Sequence, residues 1–195
     1  MPGDTVMVHH TTITPCQKEY LLAFHKPAGI VCTTSKIDKN NVIDYLNFPD
    51  RIYPVGRLDK ESTGLLLLTN NGQLMDDILR GSNYHEKEYI VHVNKPITDS
   101  VLQAMAQGVP ILDTITRPCK IRRMGKDCFY ITLTQGLNRQ IRRMCEYFDY
   151  RVTSLKRIRI MNIELGSLPV GKWRELTPSE IKTLKNLAQN KGEAE

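Results

Sequence analysis

An α+β fold, with helices flanking a mixed and mostly antiparallel sheet, follows from three features of this 195-residue chain. Strand-like and helix-like stretches intermix without the regular spacing of βαβ units. Four consecutive leucines, Leu65 to Leu68, end at the turn-former Asn70-Asn71-Gly72 and so read as a short buried strand. Ile141, Met144, Cys145 and Phe148 recur at i, i+3, i+4 and i+7, the stripe of an amphipathic helix.

The remaining elements follow in chain order. Tyr20 to Phe24 and Ile30 to Thr34 read as strands around a turn at His25-Lys26-Pro27-Ala28-Gly29. Asn41 is placed to cap a short helix ending near Leu46. Gln73 to Arg80 should be helical, with Leu74, Ile78 and Leu79 turned inward. Tyr89 to Val93 alternates as a strand does, and Thr98 to Gln107 forms a helix capped by Thr98 and stopped by Gly108. Strands are expected at Ile115 to Arg122 and Cys128 to Leu133, then a helix opening at Asn138. Thr177-Pro178-Ser179-Glu180 is a capping box with proline at the first helical position, and it opens a terminal helix through about Asn190.

Composition restricts the function classes. The chain is 41% hydrophobic and 25% charged, ordinary values for a globular protein. No apolar run approaches the roughly 20 residues of a membrane span, and Met1-Pro2-Gly3-Asp4 lacks a secretory start. The five cysteines (Cys16, Cys32, Cys119, Cys128, Cys145) are scattered without a CxxC pair, which argues against a zinc motif or disulfide framework and for a reducing cytoplasm. No dinucleotide fingerprint, phosphate-binding Walker loop or metal constellation is present, so neither cofactor nor metal is expected. The net charge of +6 says little alone, but Arg139, Arg142, Arg143, Arg151, Lys156, Arg157 and Arg159 crowd one stretch against only Glu146 and Asp149. Such a concentration suits a polyanionic partner; a solvated basic face is the other account.

The stretch Gly56 to Gly72, GRLDKESTGLLLLTNNG, pins Arg57 and Asp59 at the edge of the leucine strand. In an extended backbone the two side chains, two residues apart, share one face. An arbitrary Asp and Arg so placed form a weak surface pair, but GRLD followed by STGLLLLTN closely resembles the catalytic motif of RNA pseudouridine synthases, in the branch acting on ribosomal subunits. The resemblance makes Asp59 the essential residue. GLNRQIRRM, Gly136 to Met144, is similar to the family segment whose arginine pairs with that aspartate, here Arg142. Lys87-Glu88-Tyr89 resembles the family's KxY motif, whose tyrosine stacks on the target base. Leu155 and Arg157, in Ser154-Leu155-Lys156-Arg157, match a fourth segment near the base pocket. The likeness runs from about Tyr20 to Thr177, and Cys145 to Thr177 is most similar to the large-subunit synthase F subgroup. Members usually carry an N-terminal S4 RNA-binding domain. Here MPGDTVMV resembles only its last strand, so residues 1–19 are expected to be a remnant and residues 20–195 the catalytic domain.

The resemblance implies cofactor-free conversion of a uridine to pseudouridine in ribosomal RNA, most naturally 23S. The reaction breaks an N-glycosidic bond, turns the base over and rejoins it through carbon. It needs a carboxylate beside a base taken from its stack. Asp59 supplies the carboxylate, Arg142 holds it charged and oriented, and Tyr89 offers the stacking platform. By resemblance Arg57 fills the gap left by the flipped uridine. Phosphate contacts fall to Lys87, Arg139, Arg143, Lys156, Arg157 and Arg159. A monomer without membrane attachment is expected. Three alternatives stay open: the same reaction on small-subunit or transfer RNA, a catalytically silent RNA-binding module, and a glycosidase with Glu61 as second carboxylate.

Overall fold

The computed structural model describes residues 6–8, 11–13, 18–35, 37–80 and 84–189. The elements are β1 Val6–Val8, β2 Thr11–Ile13, β3 Leu21–Lys26, α1 Val42–Leu46, β4 Tyr53–Val55, β5 Thr63–Thr69 and α2 Gly72–Leu79. There follow β6 Lys87–Val93, α3 Asp99–Gln107, β7 Pro110–Ile111, β8 Thr114–Ile115, β9 Lys120–Arg123, β10 Cys128–Leu133 and α4 Gln140–Tyr147. The chain ends with β11 Val152–Ile160, β12 Ile163–Glu164, β13 Trp173–Glu175 and α5 Pro178–Gln189. One sheet runs β13-β3-β5-β11-β6-β10-β9, with β4 beside β5 and β12 beside β11. Every pairing in it is antiparallel except β5 with β11. β1 pairs with β2, and β7 with β8, as separate two-stranded ladders.

The leucine run is unbroken because β5 is covered on both faces. Side chains alternate along a strand, so Leu65 and Leu67 enter one core with α2 and α5, while Leu66 and Leu68 enter another with Phe24 and Val42. Each leucine is at most 1% exposed, and burying one is worth about 1.5–3 kcal/mol. A third core lies under α3 and α4, against β6, β10 and the start of β11. At the seam, Gly64 (φ +109°) faces Arg157 so closely that a Cβ would stand 2.1 Å from the Arg157 carbonyl oxygen. Only glycine lets β5 and β11 meet there.

The expected caps form. Asn41 accepts from the Ile43 and Asp44 amides, and Thr98 from that of Val101. The Thr177 amide donates to Glu180 and the Glu180 amide to Thr177, closing the capping box. Several expectations need correction. Ile30 to Thr34 is not a strand; only Val31 makes an isolated bridge, to Asn41. His25 and Lys26 belong to β3, not to the turn. Ile115 to Arg122 divides into β8 and β9 around Pro118, which has no amide hydrogen for a ladder. Leu79 is 42% exposed. The helix α4 begins at Gln140, because Arg139 adopts a left-handed conformation (φ 51°). Cys16 and Asn190 lie outside the described residues.

Candidate active site

Asp59 sits in the loop joining β4 to β5, and that loop is clamped on both sides of it. Leu58, only 8% exposed, plugs into the core beneath, and its amide donates to the Cys32 sulfur. Arg57 is exposed and Asp59 partly so. This is the alternation that lets residues 57 and 59 share the open side. After Asp59 the Ser62 amide returns to the Asp59 carbonyl at 3.0 Å. The Lys26 ammonium, fully buried, donates to the carbonyls of Pro27, Lys60 and Ser62 at 2.8, 3.2 and 2.8 Å. Burial pulls the Lys26 pKa down, opposed in part by the charges of Asp59 and Glu61. Sequence reasoning missed this lysine, since nothing in Leu-Leu-Ala-Phe-His-Lys announces which loop its end will hold.

Arg142 reaches this loop from α4. The stripe of Ile141, Met144 and Cys145 is buried and Phe148 packs partly against the same core, which leaves Arg142 at the edge as its helical position predicts. Its Nε stands 3.5 Å from Asp59 Oδ2, an ion pair without a formal hydrogen bond. Its Nη2 donates to the Ser62 hydroxyl at 3.3 Å and its Nη1 to the Val152 carbonyl at 3.5 Å. The guanidinium therefore grips the loop and points one N–H edge at the carboxylate. Arg139 approaches the same acids, 3.9 Å from Asp59 and 3.4 Å from Glu61. Glu61, in the same loop, has its pKa lowered by its own backbone hydrogen bond and then by Arg139.

Tyr89 borders the site through the sheet. It lies opposite Arg157, which in turn faces Gly64, so one row crosses β6, β11 and β5 to the end of the Asp59 loop. The ring is partly buried between two cores, 6.0 Å from the Arg157 guanidinium. Lys87, two residues earlier on the same face, has its pKa pulled to about 8 by burial, with Arg157 adding to the effect. Leu155 is 6% exposed and packs in the core under α3 and α4.

Two of the expected phosphate contacts do not face the solvent as the arginine count implied. Arg157 is 2% exposed; its Nε donates to the Leu65 carbonyl at 2.7 Å and its Nη1 to that of Arg57 at 3.4 Å. It is a clip under the loop. Arg159 is bonded to Glu88 at 2.9 Å and to Glu86 at 3.0 Å, and Glu86 also takes Lys120. The cause is a bulge between Arg157 and Arg159. A regular strand would send both to one face, but here they oppose Tyr89 and Glu88, neighbours whose side chains point to opposite faces. Arg143 is engaged with the carbonyl and side chain of Asn138, and Lys156 is partly exposed.

Comparison with known proteins identifies the family. The sequence matches the RNA pseudouridylate synthase family over residues 20–147. It is 51% identical to the dual-specificity RNA pseudouridine synthase RluF of Escherichia coli O6:H1 over 191 residues, 97% of this chain and 66% of that protein. This chain thus spans slightly under two thirds of that relative's length. Identity to the ribosomal large subunit pseudouridine synthase B of Bacillus subtilis is 33%, covering 96% of this chain and 80% of the relative. A crystal structure of a pseudouridylate synthase superposes with a TM-score of 0.80 at 30% identity, over 89% of this chain and 76% of that one. The sequence matches and the shared fold agree, and the chain belongs to the RNA pseudouridylate synthase family.

Proposed function

We propose that this protein isomerises a uridine of ribosomal RNA, in the large-subunit 23S molecule, to pseudouridine. The observation that carries the reading is the Asp59–Arg142 pair, held by a clamped loop beside the partly buried ring of Tyr89. The names of the relatives in Escherichia coli and Bacillus subtilis support the reaction, and the name of the Bacillus subtilis relative supports the large-subunit substrate. Asp59 is the reacting carboxylate. Arg142 orients it, Tyr89 receives the flipped base, and Arg57 faces the space the base vacates. Flipping costs a few kcal/mol, and stacking on an aromatic ring returns about 1–3 kcal/mol. The isomerisation involves no redox change or external group, so the reacting centre works without cofactor or metal. Arg143, on α4 beside Arg142, is the residue placed to meet phosphate near the site, whereas Lys156 opposes Ile90 and so lies on the other face of the sheet from Tyr89. The enzyme acts as a cytoplasmic monomer, with its catalytic domain in residues 20–195.

Two alternatives fare worse. A glycosidase needs a second carboxyl kept protonated as acid, whereas Glu61 is exposed, paired with Arg139 and shifted toward ionisation. A silent binding module would have no need of a carboxylate steered by a nearly buried arginine. The test is release of tritium from 5-labelled uridine in 23S ribosomal RNA, with mapping of pseudouridine in cells with and without the protein. Release together with loss of one mapped site supports the proposal. No release from any ribosomal RNA overturns it.

A further inference from the structure

The sequence shows no spaced metal motif, yet the sheet brings three metal-binding side chains together outside the candidate active site. His92 on β6 stands directly opposite Cys128 on β10, and Asp127 precedes Cys128 in the turn from β9. One donor atom from each lies within 4.8 Å of the others. His92 is three residues from Tyr89, so its ring is on the opposite face of β6 from the candidate base platform.

The turn that carries Asp127 is fixed. The Met124 and Gly125 amides donate to the Cys128 carbonyl, both at 3.0 Å. The Val93 and Ile97 amides donate to the carbonyls of Asp127 and Lys126, both at 2.9 Å. Arg123 holds the Gly125 carbonyl at 3.1 Å. A side chain at Gly125 would press on the Cys128 sulfur, its Cβ only 2.8 Å away. Among the described residues, none of the three donor groups makes a hydrogen bond or ion pair with anything else.

We infer that His92, Asp127 and Cys128 form a binding site for a borderline divalent cation of the zinc class. Imidazole and thiolate select against magnesium and calcium. A thiolate and a carboxylate neutralise a divalent charge, and three protein ligands leave a fourth position for water. On binding, the thiol proton passes to solvent as the metal–sulfur bond forms. Donor–metal distances of about 2.0–2.3 Å require modest rotations, which the partly exposed His92 and exposed Asp127 can make.

Cobalt(II) is the probe, titrated into metal-free, reduced full-length protein. The expected result is one equivalent bound, with a thiolate-to-cobalt absorption band in the near ultraviolet that zinc abolishes. Cys128→Ser should lose the band, and His92→Gln should weaken cobalt affinity at least tenfold. Asp127→Asn, at an exposed position, should also weaken affinity and serves if the sheet variants misfold. Absence of the band in wild type overturns the inference. So does its persistence in Cys128→Ser, or an unchanged affinity in Asp127→Asn.

Discussion

The two faces of the sheet around β11 use arginine in opposite ways. On the outer face Arg159 is fully committed, with Glu88 and Glu86 at 2.9 and 3.0 Å and Lys120 joined to the same Glu86. On the site face the cations are more buried and less satisfied. Arg142 Nε and Arg157 Nη2 are buried atoms without a hydrogen-bond partner among the described residues, and Lys87 makes only a 3.4 Å contact to the His85 carbonyl. Buried polar groups are nearly always satisfied in native proteins; His85 Nε2 and Asn162 Oδ1 are the other exceptions among the described residues, so what distinguishes the site face is that its unused donors are cationic. The difference teaches that arginines close in sequence need not share a partner. One bulge separates Arg157, which clips the Asp59 loop, from Arg159, which pairs with acids on the other face.

That contrast can be broken most severely at Arg142. Arg142→Met should lower turnover by about a hundredfold or more, the usual cost of removing one electrostatic group from a site. Arg159→Met should leave turnover within a few-fold of wild type. Similar losses in the two would erase the distinction between the faces. At Tyr89, replacement by Leu should cost about ten- to a hundredfold, matching the 1–3 kcal/mol of one stacked base. Tyr89→Phe should retain more activity, whereas equal complete loss in both would shift the role from ring to hydroxyl.

The pH dependence of stability gives a subtler test. Lys87 has its pKa lowered from 10.5 to about 8. Between these values the unfolded chain binds more protons than the folded one, so stability rises with pH. Wild type should therefore gain stability relative to Lys87→Met from about pH 8 to 10.5, in denaturant titrations at each pH. A flat difference would mean that the ammonium is not buried in the folded protein. The smallest effect concerns binding. Arg143→Gln should make the dependence of log affinity for RNA on log salt shallower by about 0.7–0.9. Arg159→Gln should leave that slope unchanged, its charge being spent on Glu86 and Glu88.

Where local rules decide, the sequence was sufficient. The leucine strand, the Cys128–Leu133 strand, the Asn41 and Thr98 caps and the Thr177–Glu180 box depend on near neighbours, and they form as expected. The pairing of Arg142 with Asp59 was legible only through the motif resemblance, because the two residues come from separate elements. What escaped depends on distant register. The bulge that turns Arg159 away from Arg157 has no sequence signal, and neither does the burial of Lys26 against carbonyls 34 and 36 residues along the chain. Likewise Leu79 fits the inward face of α2 by period, yet it lies at the helix's last residue, where the covering layer has ended.

The central claim is that Asp59 carries the chemistry while the surrounding residues hold and feed it. Asp59→Asn keeps the shape of the side chain but makes it a poor nucleophile and base. The most direct measurement is tritium release from 5-labelled uridine in 23S ribosomal RNA by this variant, with its fold verified and its RNA affinity determined alongside. The account predicts no detectable release and an affinity close to that of wild type. Appreciable release by the folded variant would contradict it.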